Sequence, residues 1–227
     1  MTSSSSKVIF RFMPTPVRCF TEKENTLKFN NSLGQLTAMV NYESQSMSAY
    51  CHLAPGHPWH GPYHDLEYGF PLREDSRLFE RLALEINQAG LSWLTILKKK
   101  HEFHRAYAGF HLDRVAAFGA AERQDLLANP GIIRNRLKVD AVIENARRLV
   151  EIRTTHGSFA NWLDSHHPLS KAEWVALFKK TFRFTGGEIT GEFLMSTGYL
   201  PGAHDPNCPV YAKILQRNPP WALFEGR

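Results

Sequence analysis

The spacing of apolar residues in the second half of the chain restricts the fold more than any other feature. Apolar side chains recur there at intervals of three and four residues, at Val139, Val142, Ile143, Ala146, Leu149 and Val150. This periodicity is typical of an α-helix with one buried face. The sequence has no long run of alternating apolar and polar residues, the pattern that marks a half-buried strand. It therefore predicts an all-α protein, folded as a single compact helical domain.

Further helices follow from the same kind of pattern. Leu78, Leu82 and Ile86 share one face of a helix that starts with Asp75 or Ser76 as N-cap and ends at Ala89-Gly90. Five more helices are predicted from apolar spacing, capping and breaker residues: Trp93–Lys100, one starting at Asp113, Glu122–Leu127 before Asn129-Pro130-Gly131, one opened by the capping box Ser170 to Glu173, and Ile189–Ser196 closed by Gly198.

The N-terminal part of the chain differs from the rest. Residues 1–46 are polar and contain the run MTSSSS and two closely spaced prolines, so we expect an accessory extension, with Met47 as an alternative start. Residues 47–227 then form the folded domain, at an ordinary length for one core. No apolar run reaches the roughly 20 residues that span a bilayer, and no signal peptide is evident. We expect a cytoplasmic monomer, and the net charge of +5 permits a polyanionic partner without identifying one.

Two cysteines and two histidines have a spacing that suits a metal ion. Cys51 and His64 lie near the start of the predicted domain, and His204 and Cys208 lie four residues apart near its end. Both pairs fall in segments rich in proline and glycine, which predicts that all four ligands are on loops. Four such ligands fill a tetrahedral zinc shell and leave no position for a reactive water, which favours a structural role. From spacing alone, ordinary thiols and chance histidine neighbours remain the alternative.

Three segments carry a resemblance to a known family: YHDLEYG (Tyr63–Gly69), LEINQAGLSWLTILKK (Leu84–Lys99) and GIIRNRLKVDAVIENAR (Gly131–Arg147). In content, order and spacing they closely resemble the DNA-3-methyladenine glycosylase I family, and the similarity extends from about Cys51 to Cys208. The resemblance implies a helix-hairpin-helix glycosylase that hydrolyses the N-glycosidic bond of 3-methyladenine in alkylated double-stranded DNA. It also implies one structural Zn²⁺ per chain, held by Cys51, His64, His204 and Cys208, and leaves Cys19 without a role.

The same resemblance assigns residues to the base and to the DNA. A glycosylase flips the damaged nucleotide out of the stack into a pocket. The resemblance implies that Glu85 is the catalytic and base-reading carboxylate, held ionised against the cationic base between the rings of Tyr63 and Trp93. Gly90 and Leu91 correspond to the segment that enters the space the nucleotide leaves. The hairpin at Gly131, with Arg134 and Lys138, corresponds to the part that grips the DNA backbone.

Some positions depart from the family pattern. Leu53 and Tyr68 stand where the family often has aromatic and tryptophan residues, and the segment GGEITGEF introduces Glu188 and Glu192 in place of a threonine-rich version. Either change could alter the substrate range. Two alternative functions therefore remain. One is a zinc-stapled DNA-binding protein of the same fold without base release, and the other is a zinc hydrolase, which would need an open ligand position.

Overall fold

The computed structural model describes residues 49–223, and within them all regular structure is helical, which confirms the all-α prediction. The predicted extension over 1–46, Cys19 and Met47 lie outside these residues. No helix of the described part is both long and apolar enough to cross a membrane.

The helices are α1 Ala49–Leu53, α2 His60–Leu66, α3 Asp75–Gln88, α4 Trp93–Ala106, α5 Leu112–Ala116, α6 Ala120–Ala128, α7 Arg136–His156, α8 Phe159–His166, α9 Lys171–Thr181, α10 Gly187–Ser196 and α11 Pro209–Leu215, with 3₁₀ turns at Ala108–Phe110 and Pro220–Leu223.

Helices α3 and α7 form the centre of the domain. The apolar face predicted for α3 is buried completely, since Leu78, Leu82 and Ile86 are each 0% exposed. Burying one such side chain contributes about 2 kcal/mol before the conformational entropy cost of folding is subtracted. α3 packs against α4, α7, α8 and α10. A residue on α3 can therefore face a cavity bordered by several other elements.

The start of α3 differs from the prediction. Glu74 is the N-cap residue, and Asp75 is already the first helical residue. The Asp75 carboxylate instead accepts a hydrogen bond of 2.8 Å from the backbone N–H of Phe159, at the start of α8. The prediction of Asp75 or Ser76 as N-cap was wrong because a distant helix start uses this carboxylate. The capping box at Ser170 is confirmed, and its hydroxyl accepts from the Glu173 amide.

Aromatic packing holds α10 in place beside α3. The rings of Phe159 and Phe193 stack with centroids 5.7 Å apart, and Phe178 lies 5.6 Å from Phe193. These contacts join α8, α9 and α10 into one layer against α3. Because Phe193 is fixed in the core, its neighbour Glu192 and the Gly186-Gly187 start of α10 are directed towards a cavity next to α3.

Candidate active site and metal centre

The four predicted metal ligands form one buried cluster. The ligand atoms of Cys51, His64, His204 and Cys208 all lie within 4.8 Å of one another. The Cys208 sulfur lies 3.5 Å from His204 Nδ1 and 3.7 Å from His64 Nε2, and the Cys51 sulfur lies 3.8 Å from His204 Nδ1. Metal–ligand bonds of 2.0–2.3 Å in a tetrahedron give ligand separations of about 3.3 to 3.8 Å. The donor set and its spacing therefore fit a tetrahedral metal ion.

Neighbouring groups fix the orientation of both imidazoles. His64 Nδ1 lies 2.7 Å from the Asp65 carboxylate, so its Nε2 faces the cluster. His204 Nε2 lies 2.9 Å from the Tyr68 carbonyl, so its Nδ1 faces the cluster. A hydrogen bond at the outer nitrogen sets the tautomer that leaves the inner nitrogen available to a metal. Burial lowers the pKa of His204, which favours the neutral, metal-binding imidazole.

The prediction that both ligand pairs lie on loops was only half right. His204 lies in a loop and Cys208 is the N-cap of α11, but Cys51 belongs to α1 and His64 to α2. These helices have only five and seven residues, and the prolines and glycines between them are typical of loops. The sequence pattern therefore did not predict them. Two N-terminal helices and a C-terminal loop contribute the four ligands, so the cluster joins the two ends of the described domain.

A cavity of about 750 Å³ opens between α3, α4 and the start of α10. Its aromatic and acidic walls contain three of the residues predicted for the base, Tyr63, Glu85 and Trp93. The other lining residues are Tyr50, Tyr68, Gln88, Ala89, Gly90, Gly186, Gly187, Glu188, Ile189 and Glu192. The structure therefore brings the predicted carboxylate and both predicted rings to one cavity.

Glu85 is buried in the wall of this cavity, with 4% of its surface exposed. Burial raises the pKa of Glu85 to about 8, the Arg81 guanidinium one turn earlier opposes that rise, and the charge of Glu192 adds to it. This pKa favours the neutral carboxyl at pH 7, whereas the resemblance implied an ionised group. A cation in the cavity would favour the ionised form, because opposite charges stabilise each other most where water is excluded.

Tyr63 and Trp93 contact each other directly. Their ring centroids are 5.0 Å apart and their planes are inclined by 58°. A planar base held between two parallel rings would need centroids about 7 Å apart, twice a van der Waals contact distance. In this conformation the two rings therefore form adjoining walls and leave no slot between them. The buried indole N–H of Trp93 has no hydrogen-bond partner among residues 49–223, so it remains available as a donor.

A buried arginine behind the cavity fixes Tyr63, and no local sequence pattern predicted this contact. Arg81 is 3% exposed, donates a 2.7 Å hydrogen bond to the Tyr63 hydroxyl and lies 4.7 Å from its ring centroid. It also pairs at 3.1 Å with Glu67, which in turn accepts from Lys100 at 2.6 Å. A charged residue on an amphipathic helix is usually exposed. Only the position of Arg81 on the apolar face of α3 could have indicated that it is buried.

The turn between α3 and α4 borders the cavity and is exposed. Gly90 has φ +77°, in the left-handed region, and a side chain there would meet no atom within 4 Å. The backbone conformation therefore explains the glycine, since other residues are strained at this φ. Leu91, the next residue, is 39% exposed. Leu91 therefore presents an exposed apolar side chain next to the part of the cavity wall that Gly90 forms.

The predicted hairpin lies between α6 and α7. Gly131 donates its N–H to the Asn129 side chain at 2.8 Å, and a side chain at Gly131 would lie 3.1 Å from Glu102 on α4. Packing against α4 thus accounts for this glycine without a phosphate. The backbone amides of Ile133 and Arg134 donate to no acceptor within the described residues, and the Arg134 side chain is exposed. These amides and this side chain are the hairpin groups that a phosphate could reach.

Lys138 has a different position from the one expected of a DNA contact. Only 5% of its surface is exposed, and its ammonium donates hydrogen bonds to the carbonyls of Asn87 at 2.8 Å and Ala89 at 2.6 Å. These carbonyls end α3, where a positive charge is favourable. Lys138 therefore holds the end of α3, and with it the Gly90 turn, instead of lying on the protein surface.

A helical domain with a hairpin beside an acidic aromatic cavity is of the helix-hairpin-helix glycosylase type. Residues 54–171 match the family model for methyladenine glycosylases, and the chain belongs to that family. It is similar to a DNA-3-methyladenine glycosylase of Haemophilus influenzae, 32% identical over 177 residues, which are 67% of this chain and 95% of that protein. DNA-3-methyladenine glycosylase 1 of Escherichia coli K12 is 33% identical over 173 residues, which are 68% of this chain and 92% of that protein.

Solved structures have the same fold. A 3-methyladenine DNA glycosylase I in complex with 3-methyladenine, carrying a tyrosine-to-phenylalanine change, has a TM-score of 0.64 and 29% identity, covering 71% of this chain and 96% of that one. The 3-methyladenine DNA glycosylase I of Staphylococcus aureus has a TM-score of 0.63 and 30% identity, covering 71% and 95%. The departures at Leu53, Tyr68, Glu188 and Glu192 thus lie within a domain of the family fold.

Proposed function

We propose that this chain excises 3-methyladenine from alkylated double-stranded DNA by hydrolysing the N-glycosidic bond. The observation that carries the proposal is a buried Glu85 in an aromatic cavity whose wall includes Gly90, next to the exposed Leu91. A base can enter such a cavity only after it has left the duplex. The relatives named DNA-3-methyladenine glycosylase, which this chain matches over more than nine tenths of their length, support the same activity.

Different parts of the domain bind the DNA backbone, open the duplex and hold the base. The amides of the hairpin and Arg134 hold a phosphate of the DNA backbone. Leu91 enters the stack as the nucleotide leaves, and Gly90 gives the turn its conformation. Lys138 supports this turn from inside the protein through its two hydrogen bonds to the end of α3. Tyr63 and Trp93 then cover the base with aromatic faces, which attract a cation.

The chemistry follows from the charge of the damaged base. Methylation at N3 makes adenine cationic, and the positively charged ring withdraws electron density from the glycosidic bond. When the bond breaks, its electron pair goes to the base, which leaves as neutral 3-methyladenine. The sugar becomes an oxocarbenium ion, to which water adds with loss of a proton. Glu85 accepts hydrogen bonds from the bound base and becomes ionised there, since a cation in the cavity reverses the effect of burial on its pKa.

We also propose that the Cys51, His64, His204 and Cys208 cluster holds one structural Zn²⁺. The thiolate and imidazole donors suit zinc, and four protein ligands complete its shell. The ion would stabilise the fold by joining α1 and α2 to the C-terminal loop. With no ligand position left for water, the cluster does not support a zinc hydrolase. The protein as proposed works as a cytoplasmic monomer, since a single cavity and hairpin suffice to bind one lesion.

The test is release of base from methylated duplex DNA. Wild type, Glu85→Gln and Glu85→Ala are incubated with the DNA, and free 3-methyladenine is quantified by chromatography. Glu151→Gln, which makes the same change at an exposed site on α7, is the matched control. We expect release by wild type and by the control, and a loss of at least about a hundredfold in both Glu85 variants, on the scale of one transition-state electrostatic contact.

The separate kinetic constants then define what Glu85 does. A loss confined to KM assigns Glu85 to holding the base, whereas an equal loss in kcat and kcat/KM assigns it to the transition state. DNA binding by wild type without any base release would defeat the proposal. That outcome would favour the alternative, a zinc-stapled DNA-binding protein of the same fold.

A further inference from the structure

The turn between α9 and α10 carries an exposed aromatic residue in a strained backbone conformation. Phe184 has φ +60°, in the left-handed region that bulky residues rarely adopt. Its side chain is nevertheless 40% exposed. Glycine would suit this φ better, and the protein core covers only part of the ring. Neither the backbone nor the core therefore explains why a phenylalanine stands at this position.

The residues on both sides of Phe184 are held firmly. The side-chain amide of Asn145 on α7, which is 0% exposed, donates to the Arg183 carbonyl at 3.0 Å and accepts from the Arg183 N–H at 2.7 Å. Thr185 is buried, and its hydroxyl donates to the Phe178 carbonyl at 3.0 Å. The ring of Phe184 is thus presented to solvent from a fixed backbone.

Phe184 lies on the surface between two cavities. Gly186 and Gly187, which follow it in the chain, line the cavity that contains Glu85, here called the Glu85 cavity. Phe184 itself lines a second cavity of about 790 Å³ between α6, α7 and this turn, here called the α7 cavity. Leu137, in the first turn of α7 after the hairpin, lines the α7 cavity and is 65% exposed. The exposed ring therefore lies between the proposed phosphate-binding hairpin and the Glu85 cavity.

The charges around this ring suit a polyanion. Exposed arginine side chains lie beside it at Arg183, in the hairpin at Arg134 and at the start of α7 at Arg136. The acidic residues that line the α7 cavity, Asp140 and Glu144, each accept a hydrogen bond from an arginine. Aromatic rings among basic side chains are the usual means by which proteins stack on bases and contact the phosphates beside them.

The opening of a duplex leaves more than one surface unstacked. When a nucleotide flips out, the bases beside it lose a stacking neighbour. Leu91, next to Gly90 in one part of the Glu85 cavity wall, offers a single aliphatic side chain. Phe184 lies two residues before Gly186, which belongs to another part of the same wall. Because an aromatic face stacks on any base, a ring at this position can replace a lost neighbour.

We propose that Phe184 is a further DNA contact, which stacks on a base next to the flipped nucleotide while Leu91 enters the space that the nucleotide leaves. The inference rests on the proposed glycosylase function and adds a contact outside the Glu85 cavity. The ring stabilises the opened duplex and does not contact the excised base. Its removal should therefore weaken binding to the duplex without changing what happens to a base that is already accessible.

The test compares wild type with Phe184→Ala, Phe184→Gly and Phe184→Tyr. Leu215→Ala is the matched control, because Leu215 on α11 is also 40% exposed but lines none of the cavities described above. Binding is measured with duplexes in which a tetrahydrofuran abasic-site analogue replaces the lesion and the fluorescent base 2-aminopurine stands beside or opposite it. Release of 3-methyladenine is measured from methylated duplex and methylated single-stranded DNA. Thermal unfolding reports whether each variant is folded.

We expect Phe184→Ala to bind the abasic duplex about tenfold or more weakly than wild type, as for the loss of one base-stacking aromatic ring. Release from duplex DNA should fall with it, whereas release from single-stranded DNA should change less than about twofold. Wild type should alter the fluorescence of 2-aminopurine at one of the positions, and the alanine variant should not. Phe184→Tyr keeps the aromatic face and should resemble wild type.

The glycine variant separates the ring from the turn. Glycine is the residue best suited to a φ of +60°, so it removes the ring without straining the backbone. Phe184→Gly should therefore share the weak binding of Phe184→Ala. Glycine binding like wild type would attribute the loss in the alanine variant to a distorted turn and would refute the contact with DNA.

The other negative outcomes can also be told apart. No release of base by wild type from either DNA would defeat the proposed function, and the abasic duplex would still report on Phe184. Release by wild type together with unchanged binding and release in Phe184→Ala leaves that function intact and refutes the inference. An equal loss of release from duplex and single-stranded DNA would place the ring in the machinery of the Glu85 cavity and would refute it as well.

Discussion

The burial of Glu85 makes a quantitative prediction about stability. The group has a pKa of about 8 in the folded protein and 4.5 as the reference value for an exposed glutamate. Between these values the folded chain binds more protons than the unfolded chain, so its free energy of unfolding falls as the pH rises. The stabilising contribution of the protonated form is complete below pH 4.5 and is lost as the pH passes through 8.

The size of the effect follows from the same two values. Each pKa unit corresponds to about 1.36 kcal/mol, so ionisation of Glu85 lowers stability by roughly 3 kcal/mol between pH 6 and pH 9. Glutamine has nearly the shape of glutamate but does not titrate. Glu85→Gln should therefore become more stable relative to wild type, by that amount, over this pH range. Because the charge of Glu192 is one cause of the raised pKa of Glu85, the difference between the two proteins includes the repulsion between these two carboxylates.

The measurement is urea unfolding at pH 6, 7, 8 and 9, followed by circular dichroism, for wild type, Glu85→Gln and the exposed control Glu151→Gln. Linear extrapolation gives the free energy of unfolding at each pH. The Glu151→Gln curve should run parallel to that of wild type. If the Glu85→Gln curve also runs parallel to that of wild type, the carboxyl is not buried in a low-dielectric cavity. The proposal that Glu85 becomes ionised when the cationic base binds then fails as well.

Three further outcomes are expected. Cys208→Ser removes one ligand, so elemental analysis should find less than one metal per chain and thermal unfolding should shift to lower temperature; full metal content would show that the cluster is not the metal site. Lys138→Met leaves two carbonyls at the end of α3 without their donor and should lower the free energy of unfolding in urea by about 2 kcal/mol; an unchanged value would mean that other donors replace it. Leu91→Ala should slow base release from duplex DNA several-fold more than from single-stranded DNA; an equal effect on both would rule out a role in opening the duplex.

Periodicity predicted the fold well where helices are long. The interval of three and four residues located α3 and α7, because their buried faces extend over several turns. It could not locate α1 and α2, which carry Cys51 and His64, because helices of five and seven residues show hardly one repeat of the pattern. The ligand set itself was still predictable, since the chemistry of cysteine and histidine does not depend on the local element.

The environment of the site was harder to predict from the sequence. Lys138 and Arg81 would both be assigned to the surface by their charge, yet each is buried because it satisfies groups on a neighbouring element. Such roles depend on contacts across the fold, and no local pattern encodes them. The adjoining positions of Tyr63 and Trp93 likewise depend on how α2 meets α4, which spacing along the chain does not specify.

Tyr68 connects the four-residue cluster to the wall of the cavity. Its carbonyl receives the hydrogen bond of His204, while its hydroxyl holds Glu192 at the cavity. Loss of a metal ion from the proposed site would free the His204 ring to turn, and Tyr68 would lose the partner that holds its backbone. Base release should then fall with metal content, although no group of the cluster lines the cavity.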